Sequence, residues 1–174
     1  ASCRVGSEMC IRDRKKEGDL RSPAGIFELG GVYGTVPAPQ KKRSMPYRRI
    51  TPRDMWVDDP ASPLYNQHFV LKHDPVTPWE FKQQMKLNDY AHSLKLFIRH
   101  NAADGRQKPV PGAGSSIFFH IWRRDGGSPT AGCTAMSEEN LRAMIAWLDP
   151  SRHPLYILLP AREYLRLRRA WGLP

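Results

Sequence analysis

The sequence predicts one mostly β domain with a single helix after Cys133 and another at the C-terminus. Three observations carry this reading. The 174 residues suit one domain with a core of ordinary size. Sixteen prolines and thirteen glycines cut the chain into short pieces, which favours strands and turns over a helical bundle. The apolar runs are short, and helical spacing recurs only after Ser137 and after Arg162.

Taken in order, residues 1–14 are set aside as a non-native or disordered segment, because Val5 to Asp13 resembles a translated adapter sequence. Ile26-Phe27-Glu28-Leu29 reads as a strand, with Gly30-Gly31 and Gly34 as its turn. Lys41-Lys42-Arg43 and Arg48-Arg49, interrupted by Pro46, form a basic patch. Such a patch is either a solvated face or a grip for an acidic polymer. The stretch holding Trp56, Asp58, Asp59, Tyr65 and Asn66 is Pro-rich and loop-like, its aromatics either covering the core or leading towards a cleft. Phe69-Val70-Leu71 is a short strand, and Trp79 to Leu87 a turn or short helix within a covering loop. Leu94 to His100 alternates apolar with polar, the pattern of a strand half open to solvent. A Gly/Pro loop from Asn101 to Gly112 feeds the next strand, Ile117-Phe118-Phe119-His120. Ser137 is an N-cap with Glu138 and Glu139 in the first turn, and Leu141, Met144, Ile145 and Leu148 make an apolar stripe. Leu155 to Leu159 is a further strand. Arg162 to Trp171 is a basic terminal helix with Arg162, Arg166 and Arg169 along one side. No internal repeat is present.

Charge and cysteine content narrow the partners. With 27 basic and 17 acidic side chains the chain carries +10, which suits nucleic acid, an acidic membrane surface or a wall polymer bearing carboxylates. The basic residues are dispersed, and no helix-turn-helix, RNP or zinc-ligand spacing occurs, so nucleic acid is not the expected partner. No apolar run approaches the roughly 18 residues of a spanning helix. No secretory signal stands at Ala1, and one is expected to have been removed or to lie outside this chain. His68, His73, His92, His100 and His153 show no metal-ligand spacing, read as surface or loop residues, and lead us to expect neither metal nor cofactor. Of the three cysteines, Cys3 and Cys10 can pair in an oxidising compartment, leaving Cys133 as a free thiol.

The chemistry concentrates between Gly114 and Met136, in GSSIFFHIWRRDGGSPTAGCTAM. A buried strand delivers His120 at its end. An Arg-rich, Gly-containing loop follows, then Thr130-Ala131-Gly132-Cys133, then the capped helix. Acyl transfer by a thiol requires a thiolate, an imidazole to take its proton, and backbone N–H groups facing the developing oxyanion. Gly132, without a Cβ, lets backbone and substrate approach closely. This arrangement of strand, His, loop and Ser/Thr-x-Gly-Cys resembles the signature of the L,D-transpeptidase (YkuD-type) catalytic domain family. Lys16-Glu17-Gly18-Asp19 with Ser22-Pro23-Ala24-Gly25-Ile26-Phe27 is similar to that family's early GDxxTPxGxF strand pair, and Gly114 to His120 is similar to its Gly-Ser-Ala-Ile-Phe-Leu-His run. The likeness spans Lys15 to Pro160.

The resemblance implies a curved β-sandwich over residues 15–174, acting as a monomer in a bacterial periplasm or wall. It implies Cys133 as nucleophile, His120 as base with its ring oriented by the Ile121 carbonyl, and Gly132 with Cys133 as oxyanion donors. The substrates would be donor and acceptor peptidoglycan stem peptides, joined through a thioester. Water in place of the acceptor amine would make the same residues a carboxypeptidase or endopeptidase. This sequence departs from the family pattern at two places: Ala131 stands where a second His is usual, and Ala135 where an Arg or Asn is usual. The spacing from His120 to Cys133, 13 positions, is short for the family. Arg123 and Arg124 are candidates to replace the missing cation and grip a substrate carboxylate, or are simply exposed loop charges; Thr130 and Ser128 are further candidate substrate contacts. Papain-like and NlpC/P60-like enzymes place Cys before His, which would require His153, in a Ser-Arg-His-Pro turn, as base. A basic domain that binds wall polymer or nucleic acid without catalysis is the reading from a different class.

Overall fold

The computed structural model describes residues 15–39, 44–104 and 107–174. Among these residues, eight strands and three α-helices follow one another as β1 (Gly25–Gly34), β2 (Tyr47–Arg49), β3 (Asp54–Trp56), β4 (His68–Val70), α1 (Pro78–Gln83), β5 (Leu94–Ile98), β6 (Phe118–Ile121), β7 (Thr134–Met136), α2 (Glu138–Trp147), β8 (Leu155–Leu158) and α3 (Ala161–Leu167). They form a mixed six-stranded sheet ordered β2-β1-β5-β6-β7, with β8 paired to β1, and a separate β3-β4 pair. Residues 1–14, Cys3 and Cys10 among them, and the Lys41-Lys42-Arg43 part of the basic patch lie outside the described residues.

Strand β1 corrects the first expectation. Gly30, Gly31 and Gly34 do not form a turn; they lie inside one ten-residue strand. Its first half pairs antiparallel with β8 (Ile26 opposite Ile157), and its second half with β5 (Val32 opposite Leu96) and, in parallel, with β2. The register slips between Leu29 and Val32. A Cβ on Gly30 would stand 2.6 Å from Phe97 Cδ1, and one on Gly34 would stand 2.5 Å from the Ser93 carbonyl oxygen. These glycines therefore mark close strand approach, not chain reversal.

The pairing of β5, β6 and β7 sorts side chains by face. Lys95 lies opposite His120 and Phe97 opposite Phe118, while His120 pairs in parallel with Ala135. With a period of two, these residues share one face, and Leu94, Leu96, Ile98, Phe119 and Ile121 share the other. The second set packs with Leu141, Ile145 and Leu148 of the α2 region into the main core. Ser137 caps α2 by accepting from the Asn140 N–H, as its sequence signals. Over the first face, Trp56 closes on Phe97 and Phe118 with ring centroids 4.4 and 4.9 Å apart, joined by Ile50 and Met85.

The packing overturns three more expectations. The Trp56 segment is a strand, β3, paired with β4 through Trp56 and His68. Strand β5 is buried at all five positions and not half open, because β3, the Met85 segment and α2 between them cover both of its faces. His100 is buried, and His68 and His92 are half-buried. His68 binds the fully buried Asp54 at 2.9 Å, and His100 has its Nε2 2.8 Å from the Ala113 carbonyl.

Candidate active site

Strand β6 buries His120 to 2% exposure. Its Nδ1–H donates to the carbonyl of Ile121 at 2.7 Å. That bond fixes the tautomer and leaves Nε2 as the acceptor. Burial pushes the ring's pKa down, and the Arg123 and Lys95 charges add to that, against the Ile121 carbonyl and Asp89. A neutral imidazole with a free Nε2 lone pair is what a general base at neutral pH requires.

Because β7 runs parallel to β6, the chain after Ile121 must cross back before it pairs. It does so through Arg123, a 3-10 turn at Arg124–Gly126 and the Thr130–Cys133 segment. The register Phe119 opposite Thr134 sets Cys133 level with Phe118, one pleat repeat from His120, a rise of about 6.6 Å. Cys133 packs against the Phe97–Phe118 cluster, on the imidazole's face. Its thiol donates to the Ser116 carbonyl at 3.4 Å, and the Phe118 N–H faces the sulfur. Burial raises the thiol pKa; the Phe118 amide and the Lys95 charge pull it back, followed by Lys15 and Arg123. In this arrangement the thiol proton is directed to the Ser116 carbonyl.

The loop around the sulfur is tightly specified. Gly132 has φ +135°, and a Cβ there would stand 2.7 Å from the Arg21 carbonyl oxygen. Thr130 Oγ1 donates to the Cys133 carbonyl at 2.7 Å and accepts a long 3.3 Å bond from the Gly132 N–H, so its hydroxyl shapes the turn. Ser116 is held in turn by Asn66, whose Oδ1 accepts from the Ser116 N–H at 3.0 Å and from Trp56 Nε1 at 2.9 Å. Asn66 Nδ2 donates to the carbonyls of His100 and Asn101. The early Lys16-Glu17-Gly18-Asp19 motif ties in here as well. Glu17 accepts from Tyr65 and Ser115, and Asp19 closes its own turn by accepting from Lys15, Lys16 and Arg21.

The two loop arginines separate. Arg123 Nε donates to Asp89 at 2.8 Å, and the same carboxylate accepts from His92 Nδ1 at 3.2 Å. Burial alone would raise Asp89, yet Arg123, the Ala91 amide and His92 hold its carboxyl at about 2. Arg124, exposed and in a left-handed conformation, makes no side-chain hydrogen bond or ion pair among the described residues. Ser128 is half-buried in the same loop.

Sequence reasoning misses the groups around the imidazole. His92 stacks on His120 with centroids 4.6 Å apart, and burial, with help from the His120 and Lys95 charges, drops its pKa to about 4. The available signal is Asp89, which caps the 3-10 turn carrying His92. Alternation assigns Lys95 to solvent, yet it is 4% exposed, with Nζ donating to the Met85 carbonyl at 2.8 Å. No group of three or more His, Cys, Asp or Glu side chains able to hold a metal occurs among the described residues, and no described helix is long and apolar enough to cross a membrane.

Among known protein families, the model YkuD, L,D-transpeptidase catalytic domain, matches residues 1–157 of this chain. No curated protein and no solved structure matches it.

Proposed function

The chain belongs to the YkuD family of L,D-transpeptidase catalytic domains, and from that premise we propose that it cross-links peptidoglycan stem peptides through a thioester on Cys133. The observation that supports this reading most strongly is the His120 ring. It is buried, its Nδ1–H donates to the Ile121 carbonyl, which leaves Nε2 as the acceptor, and it lies on the sheet face that also carries Cys133.

In this reading the thiol leaves its contact with Ser116 and passes its proton to His120 Nε2. The thiolate attacks the carbonyl carbon of the amide before the terminal D-residue of a donor stem. The C–N bond breaks, the imidazolium returns the proton to the departing amine, and the acyl group stays on sulfur. An acceptor side-chain amine then attacks the thioester, gives its proton to His120 and restores the thiol. The oxyanion is met by the N–H groups of Cys133 and Gly132, the latter exchanging its long contact with Thr130. One such donor is worth about 3 kcal/mol of transition-state stabilisation. Arg124 is the candidate grip for a substrate carboxylate, with Ser128 beside it, while Arg123 shapes the site through Asp89. The +10 charge favours a carboxylate-bearing polymer in the periplasm or wall.

Incubation with disaccharide-tetrapeptide and mass analysis of the products tests the reading. A cross-linked dimer supports it, a shortened peptide alone assigns the same site to a hydrolase, and unchanged substrate rejects both.

A further inference from the structure

Buried ammonium groups are stable when they face an anion, and otherwise tend to shed their proton. Lys95 is 4% exposed, and its Nζ makes one hydrogen bond among the described residues, to the Met85 carbonyl. No carboxylate partners it among those residues. Its Nζ lies 5.5 Å from the centre of the Phe118 ring; Phe118 belongs to the cluster against which Cys133 packs, and its backbone N–H faces the sulfur. Along the sheet Lys95 is the direct partner of His120, on the strand opposite the one led by Cys133. On the other flank of His120 stands Ala135, which brings no charge.

The remaining charged and titratable groups near the sulfur are already engaged. Lys15 is held by Asp19 and the Lys16 carbonyl. Arg123 is held by Asp89, which also takes His92. His120 is tied to Ile121 through Nδ1 and is kept neutral by burial. Among the described residues, that leaves one buried cation without a carboxylate near one half-buried thiol.

We propose that Lys95 is the electrostatic positioning residue of the site: its ammonium is the counter-charge for the Cys133 thiolate that forms when the thiol passes its proton to His120. The inference rests on Cys133 being the nucleophile. It deepens that reading by placing the charge stabilisation on β5, outside the segment that holds His and Cys. The chemistry balances without a co-reactant: Sγ loses its proton to Nε2, and Lys95 keeps its own. Burial holds Lys95 at about 8 and the Cys133 thiol high, and each group opposes the other's shift. Ionising both together is therefore less costly than ionising either alone.

The test is the rate of iodoacetamide alkylation at the Cys133 peptide as a function of pH, in the wild-type protein, Lys95→Met and Lys95→Arg, with near-UV circular dichroism confirming the fold. Removing the charge raises the midpoint of thiolate formation by about one unit or more, so alkylation at neutral pH slows about tenfold, and Lys95→Arg recovers most of it. A folded Lys95→Met whose profile coincides with wild type overturns the proposal. Should Lys95→Met not fold, the reciprocal measurement decides. In Cys133→Ala, lysine carbon NMR should show Lys95 losing its proton about one pH unit lower than in wild type, and an unmoved titration overturns the pairing. Alkylation needs no peptidoglycan, so a failed cross-linking assay beside a shifted profile removes the substrate and keeps the ion pair.

Discussion

The ring of His92 lies on the ring of His120, centroids 4.6 Å apart and planes 25° from parallel. Two features hold His92 there: the Asp89 carboxylate at its Nδ1 and the burial that keeps it uncharged. A neutral, flat neighbour sets the plane of the His120 ring, the proposed base, without adding a proton of its own. His92→Ala is expected to reduce turnover on the order of tenfold through misplacement of the imidazole, and His92→Phe, which keeps a flat ring, to restore most of it. Steady-state assays of the two variants check this; equal losses in both would remove the stacking argument.

Stability should fall in two stages as pH drops. His92 titrates at about 4 in the folded state against 6.5 when exposed. Its folded pKa is depressed, so the unfolded chain takes up the proton first and stability is lost from about pH 6.5 down to 4. The direction for His120 is the same. The His92 stage is worth on the order of 2 kcal/mol. Asp19 and Asp89, held at about 2, contribute stability that is intact above the usual carboxylate range and disappears below pH 4. Urea titrations at stepped pH check this: His92→Phe should shrink the upper stage to the part that His120 supplies, and Asp89, without its His92 contact, should lose a little of the lower stage.

Arg123 and Arg124 should respond differently to truncation. Arg123→Ala leaves Asp89 without its main partner and loosens the turn beneath His92, so stability and turnover fall together. Arg124→Ala, free of internal partners among the described residues, should leave the melting temperature within about 2 °C and weaken substrate binding alone, raising KM. Thermal denaturation with a KM-against-kcat split separates the two.

Asn66 carries more of the site than its loop position suggests. Its side chain joins Trp56, Ser116 and the His100–Asn101 turn. Asn66→Ala leaves the buried Trp56 Nε1–H and the half-buried Ser116 N–H without their acceptor and should cost roughly 2–3 kcal/mol, and the sulfur's acceptor at Ser116 should move with it. Denaturation curves alongside Cys133 alkylation check this pair of effects.

Much of the candidate site's segment can be read in the chain, because local rules govern it. The strand before His120, the Ser137 cap and the α2 stripe depend on neighbours one turn or one pleat away. What escapes depends on contacts distant in sequence. Gly30 and Gly34 look like turn residues because glycine serves both turns and close approach, and only Phe97 and Ser93 decide between the two. Alternation places Lys95 in solvent, since no periodicity shows that Met85 and Phe118 will cover it. His92 reads as a loop residue until the β5–β6 pairing brings His120 beneath it.

The central claim is an acyl group carried on the Cys133 sulfur, and intact-protein mass spectrometry under rapid acid quench tests it most directly. With a tetrapeptide donor and no acceptor, the protein should gain the mass of the donor less the free D-amino acid released, mapped to the Cys133 peptide and absent in Cys133→Ala. An adduct on another residue, or full turnover by Cys133→Ala, would contradict the account.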